Sequence, residues 1–506
     1  MNFKKTIQEN WPLVLIALLF LASRLTNLTG LPIFTDESIY LLWARELSLK
    51  PTRIFISLSD GKQPLFIWLS AIGIKLYPDA YLFWGRLVSV LAGLFTLIGT
   101  YFVAQNFFQK KSVAILSSIL VLLSPYLLFH DRLAIMDSLM AAFGIWVVYF
   151  GLKLQASITA SSAAKESLKK SVILGFVLGF ALLVKSPAAY FAFLLPLNFI
   201  FFEKKKLVTY KQTIIYYLLS IFLAKLIYFP LRLSKAYFII AMKNRDFVLT
   251  LSEFLRRPMF YFPNNVQSFF GWLGEYFTWP VFSFVLFSLL YGLYIKRYRN
   301  QSLYIFIYAF LPFLSISLFG KIIFPRYLLF ITPLLLVLLS NFLIHLGRRL
   351  KLAVFVLLLF LLFLPALIFN FKILTSPPDA PLPGTDQNQY IKGEASGYGL
   401  EEVYQFLENG LEKNQRVYLV TEGTFGLFPY AIQLRFYRQL DRLKILDYYP
   451  LPTVFDDKVV SAAKQAPTYL LLKDHQKAEI TWNAKLIFAV PKPKSDRNVL
   501  LYQIVP

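Results

Sequence analysis

The chain has 506 residues, of which 57% are hydrophobic and 18% aromatic, and its mean hydropathy is +0.57. This apolar fraction exceeds the roughly 45–50% of soluble domains and predicts an integral membrane protein. The net charge is +24, yet the basic residues fall in short clusters between hydrophobic runs. That placement favours membrane topology and contacts with anionic lipids, and it argues against a nucleic-acid partner. Cysteine is absent, which excludes disulfides and cysteine metal sites.

Continuous runs rich in Leu, Phe and Ile predict transmembrane helices rather than barrel strands. About eleven spans are expected, at 11–23, 83–106, 112–129, 133–153, 171–184, 188–202, 212–231, 277–295, 301–319, 325–346 and 351–371. Basic clusters follow alternate connections, so the positive-inside rule places the N-terminus in the cytoplasm and the C-terminal region outside. No cleavage site follows the first span, which is therefore expected to be a retained anchor.

The pattern predicts three regions. Residues 1–374 form a transmembrane domain with long outer loops at 24–82 and 232–276, residues 375–396 form a linker, and residues 397–506 form a small extracytoplasmic α/β domain. In that last region EEVYQFLENGLE has a helical period, whereas RVYLV, TYLLLK, KLIFAV and VLLYQIV predict short strands. The second outer loop is basic, which would suit an anionic substrate.

Four acids are candidates for catalysis. Asp36 and Glu37, in TDESIY, precede a helical pattern, so a helix N-terminal cap and a catalytic pair are equally good interpretations. Asp131 lies beside Arg132 in a turn, where an interfacial ion pair would also explain it. Asp137 lies inside an apolar helix, where a carboxylate is costly and usually faces a polar cavity, and this favours a functional role.

Cationic residues supply candidates for binding an anion. Lys62, in DGKQP, is either an ordinary loop lysine or a point charge for a phosphate. Lys321, Arg326 and Tyr327 cluster at the end of a predicted span, where snorkelling and an aromatic belt explain them as well as a phosphate site does. Lys185 is a weaker candidate, because snorkelling toward the headgroups accounts for it.

The ordered set of motifs resembles a known family. TDESIY, GKQPLFIW, FHDRLAIMDS, LVKSPAAY and KIIFPRYLLFITP, within residues 10–345, are similar to GT-C glycosyltransferases of the protein O-mannosyltransferase and lipid A aminoarabinose transferase type. The resemblance implies a polytopic α-helical, GT-C-like membrane enzyme of the cell membrane. Such an enzyme would move a sugar from a polyprenyl-phosphate donor to a lipid, glycan or protein acceptor outside the cytoplasm.

The resemblance also implies roles for these residues. The acids Asp36, Glu37, Asp131 and Asp137 would be catalytic, with Asp36 as the acceptor's base; the donor phosphate would be bound by Lys62, Arg132, Lys321, Arg326 and Tyr327, with Lys185 as the weaker candidate. No cofactor is certain, and a divalent metal at Glu37 stays open. The sequence departs from the family in having Ser186 where glycine is usual, and in lacking the acidic and histidine cluster of the aminoarabinose enzymes around 255–275.

Three alternatives compete with this interpretation. A transporter or flippase for a lipid-linked glycan would place charges near the bilayer midplane and often contains inverted repeats, and neither feature is evident. An O-antigen ligase or polymerase would use the same class of donor and fits the large outer loop, but not the early acidic pair. A non-enzymatic assembly or sensor protein would tolerate loss of Asp36 and Asp137.

Overall fold

A computed structural model describes residues 3–159, 164–201, 207–423, 425–452, 454, 456–474, 476 and 483–505. The helices in the first three quarters of the chain are α1 (Phe3–Leu25), α2 (Thr35–Leu49), α3 (Leu65–Leu76), α4 (Tyr81–Phe108), α5 (Lys111–Leu123), α6 (Pro125–His130), α7 (Met136–Thr159), α8 (Ala164–Val184), α9 (Ala189–Leu194), α10 (Leu207–Tyr228), α11 (Ile239–Phe247), α12 (Leu251–Arg256), α13 (Phe262–Phe277), α14 (Trp279–Tyr294), α15 (Arg299–Phe319), α16 (Thr332–Gly347) and α17 (Leu352–Thr375).

The C-terminal part of the chain combines helices and strands. Its elements are α18 (Gly384–Gln387), α19 (Leu400–Lys413), β1 (Val417–Glu422), α20 (Leu427–Arg435), β2 (Leu443–Tyr448), α21 (Asp457–Gln465), β3 (Thr468–Lys473), β4 (Ala484–Pro491) and β5 (Asn498–Ile504). The chain divides into two compact units. The helical unit comprises Met1–Leu28, Ile54–Phe66 and Arg86–Pro381, and the sheet unit comprises Thr29–Arg53, Ile67–Gly85 and Leu382–Pro506.

Long apolar helices dominate the helical unit. Among the described residues, seven helical stretches are long and apolar enough to cross a membrane, or eight if α13 and α14, which are bent by 109°, form one span. Four shorter apolar stretches accompany them, at Trp11–Leu25, Leu65–Leu76, Lys111–Leu123 and Ser186–Phe201. A polytopic helical membrane protein with a small C-terminal sheet domain is therefore confirmed, whereas the predicted number of about eleven spans is not.

Proline residues break the apolar runs near the polar motifs. Pro125 begins α6, so the predicted span at 112–129 is divided into α5 and α6. Pro187 follows the end of α8 and starts a short 3-10 turn, and Pro325 starts another 3-10 segment, Pro325–Ile331, ahead of α16. Proline cannot donate a backbone hydrogen bond and fits the first turn of a helix, so these prolines lie in the first turn of the helical segment that follows each break. Lys185 and Arg326 lie beside two of these prolines, and Asp137 lies in the first turn of α7.

The sheet unit contains a five-stranded mixed sheet in the order β2-β1-β3-β5-β4. The strands β2, β1 and β3 are parallel and are connected through α20 and α21, whereas β5 runs antiparallel to both β3 and β4. Alternate residues of the strands pack with α21 in a small core formed by Val420, Val459, Leu470, Leu472, Leu500 and Ile504. The inner strand β3 is buried on both faces, which accounts for its continuous apolar sequence.

The helix that carries the early acidic pair belongs to the sheet unit. In this unit α2 packs against α20, and the rings of Trp43 and Phe425 lie 6.1 Å apart. Arg438 forms an ion pair of 2.9 Å with Asp79, which lies just before α4. Thr29–Arg53 and Ile67–Gly85 thus share one compact unit with the C-terminal residues, from which they are separated by about 300 positions in the sequence.

Candidate active site

A buried ion cluster joins three segments of the helical unit. Asp137, in the first turn of α7, accepts a hydrogen bond of 2.7 Å from the ammonium of Lys185, and its other carboxylate oxygen lies 3.7 Å from Nε of Arg326. The Asp137 and Arg326 side chains are 6% and 9% exposed, while Lys185 retains 23% exposure. We call these three residues the Asp137 cluster. An unpaired charge inside an apolar bundle would be very costly, so the carboxylate and its cations hold one another in place.

Aromatic rings border the cations of the Asp137 cluster. The ammonium of Lys185 lies 4.6 Å from the ring centre of Tyr327, and the guanidinium of Arg326 lies 4.8 Å from that of Phe324. Cations over aromatic faces are stabilised by the ring quadrupole, and the effect grows when water is excluded. Within the cluster two cations share one carboxylate, which is an arrangement suited to an anionic ligand.

Lys62 is brought toward this cluster by contacts of its neighbours. The side-chain amide of Gln63 donates a hydrogen bond of 2.6 Å to Ser186, which follows Lys185 directly. Gly61 adopts φ +69°, and a Cβ there would lie 2.9 Å from the carbonyl oxygen of Ile239, so glycine is required. The ammonium of Lys62 lies 5.2 Å from the ring centre of Phe247, and its positive charge repels that of Lys185. Ser186, the departure from the family pattern, thus serves to connect these two lysine segments.

Asp131 and Arg132 contact a different part of the helical unit. The Asp131 carboxylate accepts a hydrogen bond of 2.8 Å from Ser138 and lies 3.6 Å from Nε of the fully buried Arg24. The Arg132 guanidinium donates to the carbonyl oxygens of Ser23 and Arg24 in the last turn of α1 and to those of Thr26 and Asn27 just after it. These carbonyls have no partner within α1, so Arg132 caps that helix. The catalytic role of Asp131 and the phosphate-binding role of Arg132 stay predictions.

Lys321 is held by an acid that the sequence did not single out. Its ammonium donates to Glu253 at 2.7 Å and to the carbonyl oxygen of Arg245 at 3.0 Å. The hydrogen bonds from Lys321 and from the backbone and hydroxyl of Thr250 lower the pKa of Glu253 to about 2. The pair fastens the loop that contains α11 and α12, a contact that sequence could not reveal because its partners are 68 positions apart.

The early acids occupy the first turn of α2 in the sheet unit. Glu37 is fully buried, and its carboxylate accepts a hydrogen bond of 3.3 Å from the backbone of Phe34, which is the reciprocal half of a capping box. Asp36 is partly exposed at the second helical position. The capping interpretation therefore describes Glu37, and the catalytic roles of both acids stay predictions. Within the described ranges no group of three or more His, Asp or Glu side chains could hold a metal ion.

Sequence inspection missed several side chains that the structure gives a clear position. Arg24 is fully buried and donates to the carbonyl oxygens of Val121 and Leu122 at the end of α5, and Arg86 donates to Leu28 at 2.8 Å. Both arginines lie within or beside apolar runs, where a charged residue is expensive, and that was the available signal. Lys185 also lies in an apolar run, so the same signal was available for it. We expected it to be a weaker candidate than the other cations, yet it makes the shortest contact of the Asp137 cluster.

The chain folds as a polytopic helical membrane protein whose architecture is similar to that of solved GT-C proteins. Residues 61–229 match the family model for dolichyl-phosphate-mannose-protein mannosyltransferase. A sequence comparison with curated proteins finds no match. The predicted GT-C-like fold is confirmed by solved structures of the same fold.

Three solved structures, of two proteins, match nearly all of the chain. ArnT from Cupriavidus metallidurans in the apo state superposes with a TM-score of 0.63 at 14% identity, over 98% of each chain. The same protein bound to undecaprenyl phosphate gives a TM-score of 0.57 at 14% identity, again over 98% of each chain. The apo oligosaccharyltransferase of Archaeoglobus fulgidus gives 0.58 at 14% identity, over 94% of this chain and 71% of that one.

Proposed function

We propose that this protein is a membrane glycosyltransferase that moves a sugar from a polyprenyl-phosphate-linked donor to an acceptor outside the cytoplasm. The observation that carries the proposal is the similarity in fold, over 98% of both chains, to ArnT, which has been crystallised with undecaprenyl phosphate. The Asp137 cluster supports it, because buried cations beside aromatic rings are suited to a lipid phosphate.

The proposed reaction is a displacement at the anomeric carbon of the donor sugar. The acceptor's nucleophile forms the new glycosidic bond, the bond to the phosphate oxygen breaks, and the polyprenyl phosphate leaves with the electron pair. Lys62 and Arg326 would stabilise the negative charge that develops on the leaving phosphate. The acceptor's proton would pass to Asp36 as a general base. Asp137 would orient Lys185 and Arg326 rather than touch the sugar.

The donor part of this proposal is tested by binding, which requires no knowledge of the acceptor. The purified protein in nanodiscs is titrated with undecaprenyl phosphate, and affinity is measured by tryptophan fluorescence or thermophoresis. Arg326→Gln and Lys62→Gln should each weaken binding about tenfold or more, since one charge-assisted hydrogen bond contributes roughly 1.5–3 kcal/mol. Lys75→Gln, which removes an exposed lysine from the last turn of α3, is the matched control. Equal affinity of all three variants would exclude the proposed phosphate site.

The transferase part is tested by turnover with sugar-labelled polyprenyl-phosphate donors and membrane lipid, glycan or protein acceptors. We expect Asp36→Asn to lower turnover by about 100-fold or more, because general-base catalysis typically contributes 10²–10⁴-fold. Affinity for undecaprenyl phosphate and the elution profile should be unchanged. Unaltered turnover in this variant would remove Asp36 as the base. Movement of an intact donor across liposomes without transfer would instead support the transporter alternative.

A further inference from the structure

The start of α2 is bonded to a segment from the other end of the chain. The backbone amide of Thr35, the first residue of α2, donates to the carbonyl oxygen of Ala395 at 3.0 Å, and the Thr35 hydroxyl donates to the same oxygen at 3.2 Å. The first amides of a helix have no partner within the helix. Here the first amide, that of Thr35, is satisfied by a residue 360 positions away. Thr35 lies immediately before the candidate base Asp36.

The bonded segment, residues 393–397, is itself held by a buried lysine. Lys492, directly after β4, is 4% exposed, and its ammonium donates to the carbonyl oxygens of Gly393 at 2.8 Å and Ser396 at 2.7 Å. Those two carbonyls flank the acceptor at Ala395. A single ammonium therefore fixes both sides of the residue that receives the amide of Thr35.

Shape complementarity fixes the same contact. A Cβ on Gly397 would overlap the carbonyl oxygen of Ile33, so only glycine permits the 393–397 segment to lie against the chain entering α2. The ring of Phe34 packs edge-on against that of Tyr390, with centroids 4.6 Å apart. Both rings are buried, so the residues on either side of the hydrogen bond have little freedom to move.

We propose that Lys492 and the 393–397 segment position the first turn of α2, and thereby Asp36, for catalysis. This inference rests on the proposed function for its catalytic consequence, while the positioning contact stands on the geometry of the sheet unit alone. Lys492 is accordingly a positioning residue: it acts on Asp36 through the carbonyl of Ala395 and the amide of Thr35. The C-terminal domain thus acquires a role in the reaction without contributing a group that touches the substrate.

The test uses two variants that disturb the segment by different means, each with a matched control. Lys492→Met removes the ammonium at similar length, and Lys473→Met removes a half-buried lysine whose charge acts on Lys492. Gly397→Ala introduces the overlapping Cβ, and Gly384→Ala introduces a Cβ with no heavy atom within 4 Å. Lys492→Gln, whose amide NH2 still donates hydrogen bonds, is the milder variant should Lys492→Met fail to accumulate.

Hydrogen exchange of the full chain reads the contact without any need for activity. The peptide that contains residues 34–38 should exchange at least tenfold faster in Lys492→Met and Gly397→Ala than in the wild type. Its exchange rate should be unchanged in both controls. Turnover should fall about tenfold, with the KM for the donor within twofold. In an Asp36→Asn background the same two variants should cause no further loss of turnover, because displacing a base has no effect once the base is absent. A general loss of stability would instead lower turnover further.

The outcomes separate the inference from the proposed function. Unchanged exchange at 34–38 in both variants overturns the positioning contact. Faster exchange with wild-type turnover, or with a further loss in the Asp36→Asn background, overturns the catalytic consequence while the transferase proposal stands. Failure of the wild type to transfer sugar from any polyprenyl-phosphate donor overturns the proposed function and the catalytic consequence with it, but leaves the exchange result to decide the contact.

Discussion

Replacing Lys185 by methionine should destabilise the protein through the carboxylate it leaves behind. Asp137 would lose the 2.7 Å contact and retain the 3.7 Å contact with Arg326. With an effective dielectric constant of about 20, these contacts correspond to roughly 6 and 4.5 kcal/mol of gross attraction. Desolvation cancels most of either value, and loss of one partner of a buried pair typically costs about 3–5 kcal/mol. Because Arg326 remains, we expect a net loss of about 2 kcal/mol.

The assay is the rate of thermal inactivation in detergent, since unfolding of large membrane proteins is seldom reversible. A loss of 2 kcal/mol shortens the half-life by up to about thirtyfold. The double variant Lys185→Met with Asp137→Asn removes the carboxylate charge as well, and its half-life should return to within about threefold of the wild type. Lys153→Met, on the same helix α7, removes a lysine that lies 5.6 Å from a tyrosine ring centre and should have little effect.

Two results would refute this reasoning. A Lys185→Met variant as durable as the wild type would show that the ion pair does not hold the cluster together. A double variant no better than Lys185→Met would show that the loss came from packing around the lysine stem rather than from the unpaired charge. Neither the single nor the double variant is expected to bind undecaprenyl phosphate normally. The double variant should therefore combine weak binding with a nearly normal half-life of thermal inactivation.

Three further predictions concern other parts of the chain. Burial, together with the nearby cations, lowers the pKa of Lys492 from 10.5 to about 8, so the folded state binds fewer protons than the unfolded state between these values. Stability of the sheet unit should therefore rise by about 2 kcal/mol from pH 7.5 to 9.5, measured by hydrogen exchange, and Lys492→Met should abolish the rise. The pKa of Glu253 is lowered to about 2, so the contribution of its pairing with Lys321 is full above pH 4.5 and lost as the pH falls toward 2. Hydrogen exchange of residues 245–253, corrected for intrinsic rates, should accelerate in the wild type as the pH falls from 4.5 toward 2. In Lys321→Met it should already be fast at pH 4.5. Gly93→Ala would place a Cβ 2.5 Å from the Asp131 carboxyl and should cost about 1–3 kcal/mol, whereas Gly271→Ala, with no heavy atom within 4 Å, should be neutral in the same thermal assay.

Each of these predictions has an outcome that contradicts it. A sheet unit whose exchange is independent of pH from 7.5 to 9.5 would show that Lys492 is not buried as a charged group. Equal exchange of 245–253 in the wild type and in Lys321→Met would show that Glu253 does not fasten this loop. Equal durability of Gly93→Ala and Gly271→Ala would show that Asp131 has room to move away from α4.

The candidate site was predictable in its residue types but not in its pairings. The motifs around Asp137, Lys62 and Arg326 were visible because charges stand out in an apolar sequence. Lys185 was undervalued because snorkelling explains a lone lysine equally well, and its partner lies 48 positions away. Lys321 was a candidate for binding the donor phosphate. Its partner Glu253 could not be recognised, because nothing in the sequence of its loop distinguishes it from an ordinary surface acid.

The apolar runs and basic clusters of the sequence were sufficient to predict a helical membrane protein, and the ordered motifs to predict a GT-C-like fold. Sequence patterns also predicted α19 and four of the five strands, whereas β2, LKILDY, was missed because Lys444 and Asp447 interrupt its apolar run. Three features emerge only from the three-dimensional fold: which charges meet, how many apolar helices are long enough to span a membrane, and the bonding of residues 393–397 to the start of α2. The physical reason is that hydropathy and periodicity are local properties of the chain, whereas ion pairs and helix caps depend on side chains that only packing brings together.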